Sequence, residues 1–308
     1  MSAPLELTSA ISLTFRAATV ADAANQEHGE PVSPGFDVWL IDCWRSLDDG
    51  LRHDLDLLLG FSGRLLYYIE ELLFAFDALS PDRLDATFDD YFAFLSGLPA
   101  LRYQEMAAHA VVRVYHDRGL TETPPASDNP GDWRMFLRPA ITRATIDEAA
   151  AVITSPDQLK RRTLALLEGF WAQAYRAEHE RNLAELQRSV RFAQVMSHPA
   201  VQVTFSELTG HRLPEVINDA LKDVERVMYS PSVHLGEFVQ YILYPPTLIL
   251  YFNPQTILRN QPSQSRAPRP DQRIDTEQVL EGLRAMSDPS RMRIIEMLRE
   301  REHYAQEI

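Results

Sequence analysis

Cysteine is almost absent from this chain of 308 residues, and its scarcity limits the sites that the chain can form. Cys43 is the one cysteine. A single cysteine forms neither an internal disulfide nor a metal centre built from several thiolates, so we expect a reducing, cytoplasmic setting. The N-terminus has no basic segment followed by an apolar run, and we therefore expect no signal peptide.

Glycine is scarce as well, with 12 residues in the chain. None of them belongs to a Walker loop or a dinucleotide-binding fingerprint, and residues 60–63 lack the spacing of a nucleophile elbow. The most apolar stretch, 239–252, is too short to span a bilayer and is interrupted by Pro245 and Pro246. These absences predict no membrane partner. Because no convergent set of titratable groups is evident, they also favour a protein that is not an enzyme.

The chain has fewer basic than acidic residues, 30 against 44, and its net charge is −14. Lys160 and Lys222 are the only lysines, and the arginines are scattered along the chain. Binding to nucleic acid relies on clustered cations that neutralise phosphates. Any contact with DNA must therefore come from a local patch.

The apolar pattern predicts a mainly helical N-terminal domain over residues 1–258. Its hydrophobic content, 45 % for the whole chain, is that of a globular protein. Helical spacing is found in four segments: 48–79, 84–95, 101–115 and 155–195. Ser80 and Ser155 each precede a proline and are expected to cap helices.

Two regions have residue patterns that are typical of β-strands. Residues 5–15 alternate loosely and suggest an early strand. Residues 224–252 contain three segments rich in Val, Ile, Tyr and Phe, separated by Pro and Gly, which predict a small antiparallel sheet. The expected fold class is therefore α+β, mainly α with a small antiparallel β-sheet.

A linker separates this domain from the C-terminal segment. Residues 259–273 contain three prolines and four arginines against one aspartate, with few apolar side chains. The pattern of residues 274–308 then predicts a helix, a break and a second helix. Asp288 is placed to act as an N-cap, and Pro289 follows at the first helical position.

The C-terminal segment carries a run that resembles the hallmark of ArsR-type winged helix-turn-helix regulators. The matching residues are Leu283, Ser287, Asp288, Pro289, Ser290, Arg291, Ile294, Ile295 and Leu298. The resemblance implies a homodimeric transcription regulator that binds operator DNA through a recognition helix in the major groove. It also implies that the N-terminal domain senses a ligand or mediates dimerisation, since residues 224–252 resemble a domain found ahead of such helices.

The same resemblance limits what residues 274–308 are expected to do alone. The recognition helix and the β-wing would follow Ile308, so this segment is expected to be an incomplete winged helix without specific operator binding. It holds five arginines against eight acidic residues. The family's thiolate metal site would fall near 303–307, where there is no cysteine, and we expect no metal and no other cofactor.

Aromatic residues at helical spacing give a candidate ligand pocket for a small hydrophobic effector. They are Tyr67, Tyr68, Phe74, Tyr91, Phe92, Phe170, Trp171 and Tyr175. Apolar pockets between helices are common ligand sites, but packing of the core is the competing interpretation and is favoured. The alternative functions are a small-molecule-binding or enzymatic helical domain and a purely structural dimerisation module.

Two polar groups also have competing interpretations. Asp48, Asp49, His53, Asp54 and Asp56 form either a site for a hard metal ion or, as we favour, a solvated helix face. His179 has no partner at the spacing of a zinc-protease helix and is interpreted as structural.

Overall fold

The computed structural model describes residues 2–27, 37–62, 66–126, 129–236 and 238–256, with backbone only for 21–27. All of them belong to one unit, Met1–Asn260. The linker at 259–273 and the winged-helix motif lie outside the described residues.

The described part is mainly helical with one small sheet, which confirms the predicted α+β class. The helices are α1 Ala3–Glu27, α2 Val38–Ser46, α3 Asp49–Gly60, α4 Tyr67–Ala75, α5 Phe88–Gly97, α6 Ala100–Asp117, α7 Pro130–Leu137, α8 Ile146–Ile153, α9 Pro156–Phe170, α10 Arg176–Met196, α11 Val201–Thr209 and α12 Glu215–Ala220. The strands are β1 Arg226–Pro231, β2 Tyr241–Tyr244 and β3 Thr247–Phe252.

The first helix, α1, corrects the prediction of an early strand at residues 5–15. Every side chain from Ala3 to Phe15 is buried, and α1 contacts α2, α4, α5 and β1. A helix that is buried on all sides has no polar face, so its apolar residues do not repeat with the helical period. The small Ser and Thr side chains that interrupt the run look like strand alternation but pack inside the core.

The sheet has the strand order β1-β3-β2 and is mixed, which corrects the expectation of a wholly antiparallel sheet. β2 pairs antiparallel with β3, as a hairpin predicts. β1 pairs with β3 in parallel, from Arg226 opposite Thr247 to Pro231 opposite Phe252. All of β3 is buried, which explains its continuous apolar sequence, because the central strand is covered on both faces.

The predicted helix starts are only partly confirmed. Ser80 and Ser155 do precede helical turns, but neither side chain makes a capping hydrogen bond. The segment predicted as helix over 155–195 is divided into α9 and α10 by a π-helical turn, Trp171–Tyr175. Inserted π-helical turns shift the faces of the flanking helices and are frequent at functional sites.

A close backbone approach at Gly60 fixes the end of α3 against the segment that leads into α8. The Gly60 carbonyl accepts a hydrogen bond from the Thr142 backbone N–H at 2.9 Å. A Cβ atom at Gly60 would lie 2.9 Å from the Ala144 nitrogen and 3.2 Å from the Arg143 nitrogen. Only glycine fits this contact without a shift of the backbone.

We expect Gly60→Ala to lower the free energy of unfolding by about 1–3 kcal/mol, the range for overpacking a tight site. Gly97→Ala is the matched control, because a Cβ at Gly97 meets nothing within 4 Å. That control should stabilise the protein by about 0.4–1 kcal/mol by restricting the unfolded chain. Urea denaturation measures both, and equal effects of the same sign would contradict the close approach.

Candidate ligand-binding site

The eight aromatic residues predicted to line a pocket lie in the helical core. Tyr68, Tyr91, Phe170, Tyr175, Trp171 and Tyr67 are buried, and Phe74 and Phe92 are partly buried against them. Neighbouring side chains occupy the space around most of them. The Tyr68 ring centroid, for example, lies 5.0 Å from that of Phe61, and the Tyr68 hydroxyl lies 2.9 Å from that of Thr163. Trp171 stacks on Phe88 with ring centroids 4.7 Å apart but also borders a cavity. This placement agrees with the competing interpretation, packing of the core.

A cavity lies beside residues 13–20 of α1. It has a volume of about 790 Å³, which is within the usual range for small-molecule sites. Three stretches of chain line it: residues 13–20 of α1, residues 141–143 before α8, and residues 238–240 before β2. Its walls are mostly apolar, with side chains such as Phe15, Ile141 and Val239.

Hydrogen bonds hold these three walls in place. The Thr142 hydroxyl donates to the Gly60 carbonyl at 3.1 Å. Ser9 of α1 donates to the Gln240 side chain at 2.7 Å, and the Tyr251 N–H of β3 donates to the Gln240 carbonyl at 2.9 Å. The cavity is therefore preformed, which reduces the entropy lost when a ligand binds.

Two arginines line the cavity, and they differ in their partners. The Arg143 Nε lies 2.5 Å from the Asp56 carboxylate. The Arg16 Nε is buried and has no hydrogen-bond partner among the described residues. Burial lowers the pKa of Arg16, although the charge of Glu70 opposes this shift. Arg16 is thus a partly buried cation whose Nε–H donor has no partner within the described part of the chain.

Behind the cavity lies a buried ionic network centred on Arg113. Its guanidinium donates to Glu70 at 2.7 Å, to Glu71 at 3.1 Å and to the Leu243 carbonyl at 3.2 Å. It also lies 3.8 Å from the centroid of the Tyr67 ring. Burial raises the pKa of Glu70 to about 8, even though Arg113 pulls it down. The network joins α4, α6 and β2 across the core.

A second polar cluster joins α1 to α10. His179 Nδ1 lies 2.9 Å from the Glu6 carboxylate, and the Tyr175 hydroxyl donates to the same oxygen at 3.4 Å. Glu6 is buried, and burial raises its pKa against the opposing effect of His179. His179 also lines a cavity of about 500 Å³ together with Trp171 and Phe88.

A further histidine continues this cluster. His234 Nδ1 lies 3.2 Å from the Asp37 carboxylate, and its Nε2 lies 3.4 Å from that of Glu178. Its ring stacks on Trp39 at 3.9 Å, and its hydrogen bond lowers the pKa of Asp37. Sequence reasoning found neither pair, since 173 residues separate Glu6 from His179. The only local signal is that Glu6 is the one charged residue in the stretch from Ala3 to Phe15 of α1.

The acidic group on α3 is engaged in ion pairs. Asp54 accepts a hydrogen bond from Arg162 at 2.6 Å, Asp56 pairs with Arg143, and His53 lies 2.7 Å from Glu148. Within the described ranges, no group of three or more His, Cys, Asp or Glu side chains is arranged to hold a metal ion.

Comparisons of the chain with protein-family models, curated proteins and solved structures give no match. Among the helices that the structure describes, none has the length and apolar character needed to cross a membrane. The residues that carry the winged-helix resemblance, from Leu283 to Leu298, lie outside the described part.

Proposed function

We propose that the protein is a DNA-binding transcription regulator of the ArsR type, and that its N-terminal unit binds a small hydrophobic effector. The cavity of about 790 Å³ beside residues 13–20 of α1 is the observation that carries the effector-binding role. The motif from Leu283 to Leu298 supports the DNA-binding role. On this proposal the protein acts as a homodimer in the cytoplasm and is a binder rather than an enzyme.

The position of the cavity suggests how an effector would influence DNA binding. Residues 238–240 line the cavity and lead into β2, and β2 pairs with β3. β3 ends at Phe252, a few residues before the linker that begins at 259. A ligand that draws α1 and the β2 segment together would act close to the origin of the linker. In a dimer it would thereby change the spacing of the two DNA-binding segments, which must match the half-sites.

Selection of DNA sequences with the full-length gene product tests this proposal. We expect a pseudo-palindromic site, bound with an affinity that falls steeply as salt rises. Ile294→Asp interrupts the apolar stripe of the motif and should abolish binding. Leu101→Asp is the matched control, because Leu101 is 57 % exposed on α6, and it should bind DNA like the native protein. Recovery of no preferred sequence would rule out the regulator.

The second candidate function is catalysis on a small molecule. The hydrogen-bonded pair Glu6 and His179 beside a cavity favours it, because a carboxylate that orients a histidine is a common arrangement for proton transfer. Mass spectrometry of ligand recovered after incubation separates the two functions. A regulator returns its effector unchanged, whereas an enzyme returns a product.

A further inference from the structure

The cavity beside residues 13–20 of α1 combines apolar walls with one arginine whose buried Nε has no partner among the described residues, and this combination indicates a class of ligand. Leu13, Phe15 and Val20 from α1 face a space that Ile141 and Val239 also line. These side chains offer no hydrogen bonds and suit an apolar body. A purely apolar ligand, however, would leave the buried Nε–H of Arg16 without a hydrogen-bond acceptor.

The Nε atom of Arg16 is buried, although the residue as a whole is only partly buried. A buried donor without a hydrogen-bonding partner is unfavourable, and proteins usually pair such a group. Within the described residues, Arg16 Nε has no hydrogen-bond partner, and the nearby Glu70 carboxylate is bonded to Arg113. The other arginine of the cavity, Arg143, is paired with Asp56. Arg16 is therefore the cation in this cavity that is available to a ligand.

We propose that the cavity binds a small amphipathic monocarboxylate, whose carboxylate accepts hydrogen bonds from Arg16 and whose apolar body fills the space between α1, 141–143 and 238–240. Arginine and carboxylate match in geometry and form strong charge-assisted hydrogen bonds. This inference deepens the proposed effector-sensing role, since it names the chemistry of the effector. It does not depend on whether the C-terminal segment binds DNA.

Calorimetry with matched acid and amide ligands tests the proposal. The probes are 1-naphthylacetate, octanoate and their neutral amides, with acetate as an anion that lacks an apolar body. We expect the native full chain to bind at least one of the two larger acids about 10–100-fold more tightly than its amide, the range for hydrogen bonds to a charged group. Acetate should bind far more weakly.

Single substitutions test which side chain makes the acid bind more tightly than the amide. In Arg16→Gln the ratio of acid to amide affinity should fall to about one, because the variant removes the charge that distinguishes the two ligands. Arg134→Gln is the matched control, since Arg134 pairs with Asp147 on the surface and does not line the cavity, and it should keep the native ratio. Val20 is 37 % exposed at the rim, so Val20→Trp should weaken acid and amide alike without disturbing the core.

The results that refute the carboxylate site differ from those that refute the proposed regulatory function. Absence of binding by both larger acids, or an acid-to-amide ratio that survives in Arg16→Gln, refutes the carboxylate site. A large fall in the thermal midpoint of Arg16→Gln with an unchanged ratio shows instead that Arg16 is structural. If the acids bind as expected but do not alter the affinity of the full-length gene product for DNA, the carboxylate site stands and the regulatory function fails.

Discussion

Replacing Arg113 by methionine should lower the free energy of unfolding by about 3–5 kcal/mol, the range for removing one partner of a buried ion pair. The Arg113 side chain is 14 % exposed, and it compensates Glu70 and Glu71, whose side chains are 9 % and 6 % exposed. Without the guanidinium, two neighbouring carboxylates would share a poorly solvated site. The variant would also lose the contact with the Tyr67 ring.

The stability that Arg113→Met loses should depend on pH. Burial raises the pKa of Glu70 to about 8 from an ordinary value of 4.5. A raised pKa means that the folded state favours the protonated carboxyl group. The stability that the protonated Glu70 carboxyl contributes is complete below a pH of about 4.5, and it is lost as the pH rises through about 8. In Arg113→Met the ionised form is still less favourable, so the destabilisation should be larger at mildly alkaline pH than at mildly acidic pH.

A triple variant, Arg113→Met with Glu70→Gln and Glu71→Gln, is the control. It removes the three charges of the network together and leaves only His109, which is 53 % exposed, without the carboxylate of Glu71. The triple variant should therefore recover most of the lost stability. Urea denaturation across the pH range measures all of these proteins. A loss from Arg113→Met that is below about 1 kcal/mol, the level of an exposed ion pair, would show that the network contributes little.

The sequence predicted those elements whose pattern is local. The spacing of apolar residues over 101–115 predicts α6, Ala100–Asp117, almost to its ends. The β-branched and aromatic segments of 224–252 locate all three strands. α6 has one buried and one exposed face, so burial leaves a periodic trace in its sequence. The strands are recognised instead by their β-branched and aromatic composition.

Features decided by distant parts of the chain could not be predicted in this way. α1 is helical because it is surrounded by other elements, and its own sequence resembles a strand. The parallel pairing of β1 with β3 depends on which strand occupies the centre of the sheet. The lining of the cavity joins Arg16, Ile141 and Val239 across more than two hundred residues of sequence. The unused guanidinium of Arg16 becomes evident only when its surroundings are known.

The predicted aromatic pocket shows the same limit of prediction from sequence. A substitution at Phe170 tests whether this cluster is a packed core or a pocket. Helical spacing shows that the ring faces the interior, but it does not distinguish a filled core from a ligand pocket. Phe170 is completely buried at the end of α9, a helix that contacts α3, α5, α6 and α8. We expect Phe170→Ala to lower the free energy of unfolding by about 3–5 kcal/mol, because the surrounding helices cannot close the space that the ring leaves.

Phe92→Ala is the matched control for this expectation. Phe92 comes from the same predicted set but is only partly buried, so the loss should be roughly half as large, in proportion to the apolar area that it removes from water. Urea denaturation compares the two variants without any ligand. If Phe170 already bordered an open pocket, its removal would create little new cavity, and the loss would fall to the level of Phe92→Ala. Such a result would move the proposed effector site from the cavity beside residues 13–20 of α1 to the aromatic cluster.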